Sequence, residues 1–351
     1  MKKLKKATIG SHFHDDFRGQ LLGWYDAHQR SLPWRLGRMD EPNPYFTWLS
    51  EIMLQQTVVA TVIPYFLKFT AKWATIHDLA AADVADVMHE WAGLGYYARA
   101  RNLHKCAKVV SGELGGEFPS DVAALKKLPG IGDYTAAAIS TIAFNKPATV
   151  VDGNIERVMT RIFAVTNTLP GIKPRLKELA APFFDGFHAR PGDLAQAMMD
   201  LGAGICTPKS PKCALCPVSE HCQARIKGIA DTLPRKAPKK AQPQKIGNVY
   251  FITNKKGQIL LERRADKGML GGMVGLPTSE WVVDHPVHIE GFKSLKLTAN
   301  SHIKHSFTHF DLRLDLYMAQ SEGEFDGYFW DEIDGGGLPT LFKKAYKLAC
   351  G

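Results

Sequence analysis

The segment Leu128-Pro-Gly-Ile-Gly-Asp-Tyr134, followed eighteen residues later by Asp152-Gly-Asn154, constrains this chain more than any other. Gly130 and Gly132 at a two-residue interval make a tight turn where backbone can approach another molecule closely. Leu128 and Ile131 are apolar enough to pin that turn to a core. The Ala-rich run Thr135 to Phe144 reads as a helix. Amide groups at its start are free to bind an anion, and a phosphate of DNA suits a chain of net charge +9. Asp152 stands just before a second helical pattern (Ile155, Val158, Met159, Ile162), where a phosphate-binding turn alone requires no carboxylate.

The 351 residues are enough for two or three domains with ample core. No run approaches the roughly 20 apolar residues of a membrane span. The lysine-rich start lacks an apolar stretch behind it and reads as a solvated tail, so a cytoplasmic location is expected. Up to about residue 230 the periodicity is helical. One amphipathic helix lies within 14–35, before Arg30-Ser-Leu-Pro-Trp-Arg35, and 36–46 is loop. From Phe46 to Trp73 apolar positions recur at helical spacing, with a break expected at Pro64. Further helices are expected near 77–82, 84–93, 98–114, 121–127, 134–144, 153–165, 173–183 and 192–203, with hardly any strand signal before 245.

Residues 231–246, rich in proline and positive charge, read as a linker. The pattern then changes. Val249–Ile252, Gln258–Leu261, His288–Phe292, Ser294–Leu297 and Leu312–Tyr317 are strand candidates, and a helix is expected over Leu341–Ala349. The expected fold is therefore an all-α region over 1–230 joined to an α+β domain over 247–351.

Six cysteines in a chain expected in a reducing compartment favour metal or redox chemistry over disulfides. Cys206, Cys213, Cys216 and Cys222 follow C-x6-C-x2-C-x5-C, enough to surround one metal centre. Four thiolates serve zinc and iron–sulfur clusters alike, and spacing alone does not choose. Cys106 and Cys350 read as plain thiols. Glu51 lies within an apolar helical stretch (Trp48, Ile52, Leu54, Val58), where a carboxyl has a raised pKa and can hold a proton near neutrality.

The hairpin over 122–144 with Asp152 resembles the helix-hairpin-helix signature of the endonuclease III superfamily of DNA glycosylases. The cysteine loop over 206–222 is similar to that superfamily's [4Fe–4S] loop, so the resemblance implies one such cluster on those four cysteines. Trp48-Leu-Ser-Glu-Ile-Met-Leu-Gln-Gln-Thr57 resembles the motif around the catalytic glutamate of MutY-type adenine glycosylases. In members that cut the backbone, the place of Tyr134 carries a lysine that forms a Schiff base. A phenol cannot form an imine, so hydrolysis with little lyase activity is expected. The resemblance implies Glu51 as the acid that protonates adenine and Asp152 as the carboxylate that stabilises the sugar cation, with Asn154 and Tyr134 positioning them. It implies an adenine pocket of Arg30, Leu32, Trp34, Arg35 and Gln196.

Contacts to DNA are implied for Gln55 and its neighbour Gln56, for Tyr96 as an aromatic wedge, and for Arg99, Arg101, Gly130, Gly132, Lys209 and Lys212. Glu156 stands where some relatives carry a lysine that traps sugar. The C-terminal domain resembles the MutT-like (Nudix) domain of that family on Leu261–Arg264 and Gly268–Pro277. It lacks the clustered carboxylates of a magnesium site, so pyrophosphatase activity is not expected. Phe307-Thr308-His309 resembles a Phe-Ser-His loop that reads 8-oxoguanine, with a methyl added at Thr308. The implied partner is double-stranded DNA with adenine opposite 8-oxoguanine or guanine, met by a monomer.

Overall fold

The computed structural model describes residues 12–35, 42–238, 241–265, 267–335 and 337–351. The lysine-rich start, most of the 36–46 loop, and Lys239 and Lys240 of the linker lie outside the described residues. Two compact units emerge. One comprises the described residues up to His77 together with Cys106–Pro238; the other comprises Asp78–Lys105 and Lys239–Gly351.

The helices follow in chain order as α1 (Phe13–His28), α2 (Pro44–Met53), α3 (Val59–Lys72), α4 (Ile76–Ala81), α5 (Val84–Glu90) and α6 (Ala98–Glu113). Then come α7 (Val122–Leu125), α8 (Asp133–Phe144), α9 (Gly153–Ile162), α10 (Lys173–Phe184), α11 (Pro191–Gly204) and α12 (Gln223–Ile226). Most of α4, all of α5 and the start of α6 belong to the second unit.

Local chemistry sets the ends that matter. Asn43 caps α2, its Oδ1 accepting from Tyr45 N at 2.9 Å, and Pro44 occupies the first turn, where a missing N–H costs nothing. The chain leaves α8 through Asn145 in the left-handed region. Helix α8 buries Ala136, Ala137, Ala138, Ile139 and Ser140, and such small side chains let neighbouring helices come close. Gly192 of α11 sits so near that a Cβ would lie 2.7 Å from Thr141 O. Phe17, Leu21, Leu176, Phe183, Phe184, Leu194 and Met198 fill the core that α1, α8, α9, α10 and α11 share. Each such burial contributes roughly 1.5–3 kcal/mol before the entropy of ordering is set against it.

One expectation fails in this unit. Pro64 lies inside α3; the break falls at Leu54–Val58, where Gln56 adopts φ 63°. Pro64 is one turn into α3, so it forgoes a single early hydrogen bond and the apolar face carries the helix past it. The segment after 231 begins as ordered structure. Strand β2 (Arg235–Lys236) pairs in parallel with β1 (Thr168–Leu169), and β3 starts at Gln244, inside the stretch read as linker.

The second unit is built on β3 (Gln244–Thr253), β4 (Ile259–Arg263), β5 (Val274–Gly275), β6 (Thr298–Ser306), β7 (Asp311–Gln320) and β8 (Tyr328–Asp331), closed by α13 (Thr340–Cys350). The sheet order is β5-β4-β3-β7-β6, with β8 also on β4, and β3 runs parallel to β7 from Gln244↔Asp311 to Thr253↔Gln320. Successive β3 side chains serve opposite faces. Val249 and Phe251 pack with Leu314 and Phe342 of α13, whereas Tyr250 and Ile252 pack with Leu260 and Phe292.

His288–Phe292 is not a strand: it ends in a 3-10 turn, Glu290–Phe292, that buries Phe292 against Tyr250. Ser294–Leu297 is not a strand either. Its alternation arises because Leu295 and Leu297 both pack onto that cluster from a turn. The strand that follows, β6, is polar because it is an edge strand with most of its residues exposed.

Candidate active site

Glu51 sits in the last turn of α2 among Trp48, Leu49, Ile52 and Met53, and is 7% exposed. Tyr134, second residue of α8, donates its hydroxyl to Glu51 Oε2 at 2.7 Å. Burial pushes the Glu51 carboxyl up to about 7; the Tyr134 hydroxyl opposes that, the nearby Asp152 charge adds to it, and the Arg35 charge opposes it. The two carboxyl groups expected to act together therefore share one electrostatic environment, although 101 residues separate them in sequence (152 − 51).

Asp152 is the N-cap of α9. Its Oδ1 accepts from Ile155 N at 2.7 Å and its Oδ2 from Asn154 Nδ2 at 2.8 Å. Burial raises its pKa as well, but the Ile155 and Asn154 hydrogen bonds and the Arg157 charge pull the other way. Each of these favours the ionised form, and the helix end adds to them. Asn154 is fixed in turn. Arg157 Nη2 donates to Asn154 Oδ1 at 2.8 Å and to Gly202 O at 2.6 Å. A Cβ on Gly202 would fall 2.6 Å from Asn154 Cβ, so α11 reaches this close only because residue 202 has none.

Arg30, Leu32, Trp34, Arg35 and Gln196 meet around one small cavity, with about 40 Å³ of space for water, and Glu51 forms part of its wall. Sequence reasoning missed the group that anchors it. Asp200 is buried; Arg30 N and Nε donate to its Oδ2 and Oδ1 at 3.1 and 2.6 Å, and Arg35 Nη1 and Nη2 donate to the same pair at 2.7 and 2.9 Å. An aspartate in an apolar helix four residues after Gln196 was the available signal, since a buried charge demands partners. Thr47, Ser50 and Met199 also line the cavity and were not foreseen.

The four clustered cysteines surround a second cavity, walled by Val158, Ile162, Leu201 and Val218. Among the described residues no three His, Cys, Asp or Glu side chains converge on one metal ion. Four thiols that line one apolar cavity are a donor set that fits an iron–sulfur cluster. Arg161 enters from α9, its Nη1 donating to Cys206 Sγ at 3.2 Å and to Thr207 O at 2.8 Å. Helix α9 thus carries Asp152 at one end and clasps the cysteine loop with Arg157 and Arg161 along its length.

Residues 49–182 match the HhH-GPD superfamily of base excision DNA repair proteins, 206–222 the iron–sulfur binding domain of endonuclease III, and 248–348 the NUDIX domain. The chain is 34% identical to adenine DNA glycosylase of Homo sapiens, covering 95% of this chain and 74% of that protein. It is 33% identical to adenine DNA glycosylase of Buchnera aphidicola subsp. Baizongia pistaciae, covering 85% and 84%. Among solved structures, a thermostable thymine-DNA glycosylase aligns with a TM-score of 0.53 at 30% identity, over 61% of this chain and 97% of that one. A trapped endonuclease III–DNA covalent intermediate aligns at 0.50 and 24% identity, over 60% and 95%, a likeness of fold.

The chain belongs to the adenine DNA glycosylase family. It is a DNA N-glycosylase of base excision repair that carries a [4Fe–4S] cluster and a Nudix-like domain. No described helix is long and apolar enough to cross a membrane.

The residues expected to touch DNA divide into two groups in this glycosylase. Gln56, Gly130, Gly132, Lys209 and Lys212 are exposed. Gly130 uses its freedom, at φ 77°; Gly132 does not, at φ −94°, and a Cβ there would meet nothing within 4 Å. Gln55 Nε2 donates to Thr135 Oγ1 at 3.2 Å. Arg99 and Arg101, expected as phosphate contacts, are engaged internally. Arg99 lies against the Trp91 and Tyr96 rings and donates to Leu94 O at 3.3 Å, and burial lowers its pKa to about 10. Arg101 Nη1 donates to Gly271 O. Glu156 pairs with Lys173 at 2.8 Å.

Tyr96, exposed and at φ 48°, shares a 2.9 Å hydrogen bond with Thr308 Oγ1. The two belong to the walls of an open cleft of about 440 Å³ within the second unit, which Phe307, His309 and the Gly268–Gly271 loop also line. The added methyl of Thr308 leaves its hydroxyl free to make that bond.

Proposed function

We propose that this enzyme removes adenine paired with 8-oxoguanine, or with guanine, from duplex DNA by hydrolysis, with little or no lyase activity. The observation that carries the mechanism is the shared site of Glu51 and Asp152, the first lifted to about 7 by burial, the second also raised by burial but held against it by hydrogen bonds from Ile155 and Asn154 and by the Arg157 charge. Adenine flipped into the Arg30–Arg35–Gln196 pocket takes a proton at N7 from Glu51. The C1′–N9 bond then breaks, its electron pair leaving with the base. Asp152 stabilises the cationic sugar, water adds at C1′, and Glu51 takes up the proton that the water loses. Tyr134 orients the acid through its 2.7 Å hydrogen bond and offers no amine to trap the sugar.

Cys206, Cys213, Cys216 and Cys222 are the ligands proposed for the cluster, which when bound would cross-link their loop. Lys209 and Lys212 on that loop and the Gly130–Gly132 turn supply phosphate contacts. Tyr96 and Phe307-Thr308-His309 read the base opposite the adenine. We further assign the protein to the cytoplasm, acting as a monomer.

The test is a duplex bearing 8-oxoguanine opposite adenine, incubated and then divided with and without alkali. Strand breaks that need alkali support hydrolysis. Breaks without alkali would assign lyase chemistry, and none under either condition would leave a DNA-binding protein without the reaction.

A further inference from the structure

Resting on the reading of the cleft as the place where the opposite base is recognised, we propose that Arg264 and Trp281 are positioning residues that lock two segments of its lining in register and so set discrimination between 8-oxoguanine and guanine. The Arg264 guanidinium lies over the Trp281 ring at 5.1 Å, and Trp281 stacks on Phe307 with centroids 5.6 Å apart and planes 25° from parallel. Phe307 also touches His305 and Phe310, so one face of the Phe307–His309 loop rests on this stack.

The same guanidinium holds a second segment of the lining. Arg264 Nε donates to Met269 O at 3.2 Å, within the Gly268–Gly271 loop, which lines the same cleft as the Phe307 loop. Its backbone N–H donates to Met273 O, and its carbonyl accepts from Gly272 N, so the loop is fastened at both ends of one residue. Arg264 is itself fixed by Glu262 Oε1 at 2.8 Å and Thr278 Oγ1 at 3.0 Å. A planar cation that bridges a carboxylate, a hydroxyl, a carbonyl and an aromatic face uses what lysine cannot supply.

Trp281 also packs on the core of this unit. Its Nε1 is buried without a hydrogen-bond partner among the described residues, so packing on Arg264, Phe307, Phe310 and Gly247, and no hydrogen bond of its own, orients the ring. Neither side chain is among those that line the cleft, so their influence on a bound base passes through Phe307 and Met269. 8-Oxoguanine differs from guanine by a carbonyl oxygen and an N–H, and telling them apart depends on how accurately the loop is placed.

The experiment compares single-turnover adenine removal from two duplexes, one with 8-oxoguanine and one with guanine opposite the adenine. In Arg264→Met and Trp281→Leu, the ratio of the two rate constants falls about fivefold to tenfold, the scale of one lost stacking or cation–π contact. Trp281→Phe, which keeps a stacking ring, retains the ratio. Thermal unfolding identifies any variant that does not fold. If Trp281→Leu is one of these, Arg264→Met carries the test.

An unchanged ratio in folded Arg264→Met, with a lowered ratio in Phe307→Ala, would overturn the positioning role while leaving the cleft as the reader. An unchanged ratio in Phe307→Ala as well would remove the reading of the cleft itself.

Discussion

The pocket proposed for adenine and the Tyr96–Phe307 cleft solve opposite problems. The pocket is small, the Glu51 and Asp200 carboxyl groups beside it are buried, and Glu51, its neighbour Asp152, Asp200, Arg30 and Arg35 are each held by hydrogen bonds. The cleft is about ten times roomier, 440 against 40 Å³, and its polar groups Thr308 and His309 are exposed. Chemistry needs groups whose proton affinities have been moved, and only burial among fixed partners moves them far. Recognition of a base within a duplex needs surface that nucleic acid can reach. The buried pocket should therefore respond to small changes of charge, and the exposed surfaces to changes of shape that leave the fold intact.

The sharpest challenge to that contrast is Glu51→Gln. The amide keeps the volume and can still accept from Tyr134, but it has no proton to give. Adenine removal should fall by about 10²–10⁴-fold while binding to the mispaired duplex persists. Single-turnover kinetics beside a binding titration would show it, and wild-type turnover would end the acid assignment.

The same variant tests whether the site stores a free-energy cost. The folded pKa of Glu51 is about 7 against an ordinary value of 4.5, so the native state binds its proton more tightly than the unfolded chain. This contribution is most favourable below pH 4.5 and is lost as pH rises to 7, about 3 kcal/mol for a shift of this size. Glutamine cannot ionise. Glu51→Gln should therefore be more stable than wild type at pH 8, and that difference should shrink toward pH 4.5. Denaturant unfolding at the two values measures it, and equal differences at both would contradict the buried-acid account.

Gly202→Ala probes the backbone around the second carboxylate. Its Cβ would meet Asn154 Cβ at 2.6 Å, and both atoms belong to packed helices that cannot yield separately. A loss of about 1–3 kcal/mol of stability is expected. A fall in rate should accompany it, because Asn154 holds Asp152.

How legible these regions were in the sequence follows from the same contrast. Glu51 in an apolar helix and Asp152 as a cap beside a glycine turn are local patterns, but the family resemblance was needed to single them out with Tyr134, and the structure brings the three side chains together. Asp200 could not be found so easily, since its meaning lies in two arginines 165 and 170 residues away. The helical unit was read well because amphipathic periods survive in one dimension. Strand β6 was missed because an edge strand carries mostly polar residues, and Ser294–Leu297 imitated a strand because two leucines pack from a turn onto Phe292. Arg99 and Arg101 show the limit for charged groups. Residue type suggests a phosphate, but only the fold shows that Trp91, Leu94 and Gly271 already occupy them.

The smallest effect on the protein itself is expected at Gly132, where a null result in one measurement makes the other informative. Its φ of −94° is open to any residue, and a Cβ would meet nothing within 4 Å. Gly132→Ala should therefore change folding stability by no more than about 0.5 kcal/mol, as for an unencumbered surface position. Nothing inside the free protein requires glycine there, so any requirement comes from what approaches from outside. If the start of α8 receives a DNA phosphate on its backbone amides, the methyl group stands in its way, and affinity for duplex should drop with the melting temperature unchanged. Undiminished affinity would move phosphate binding away from this turn and onto the exposed lysines of the cysteine loop.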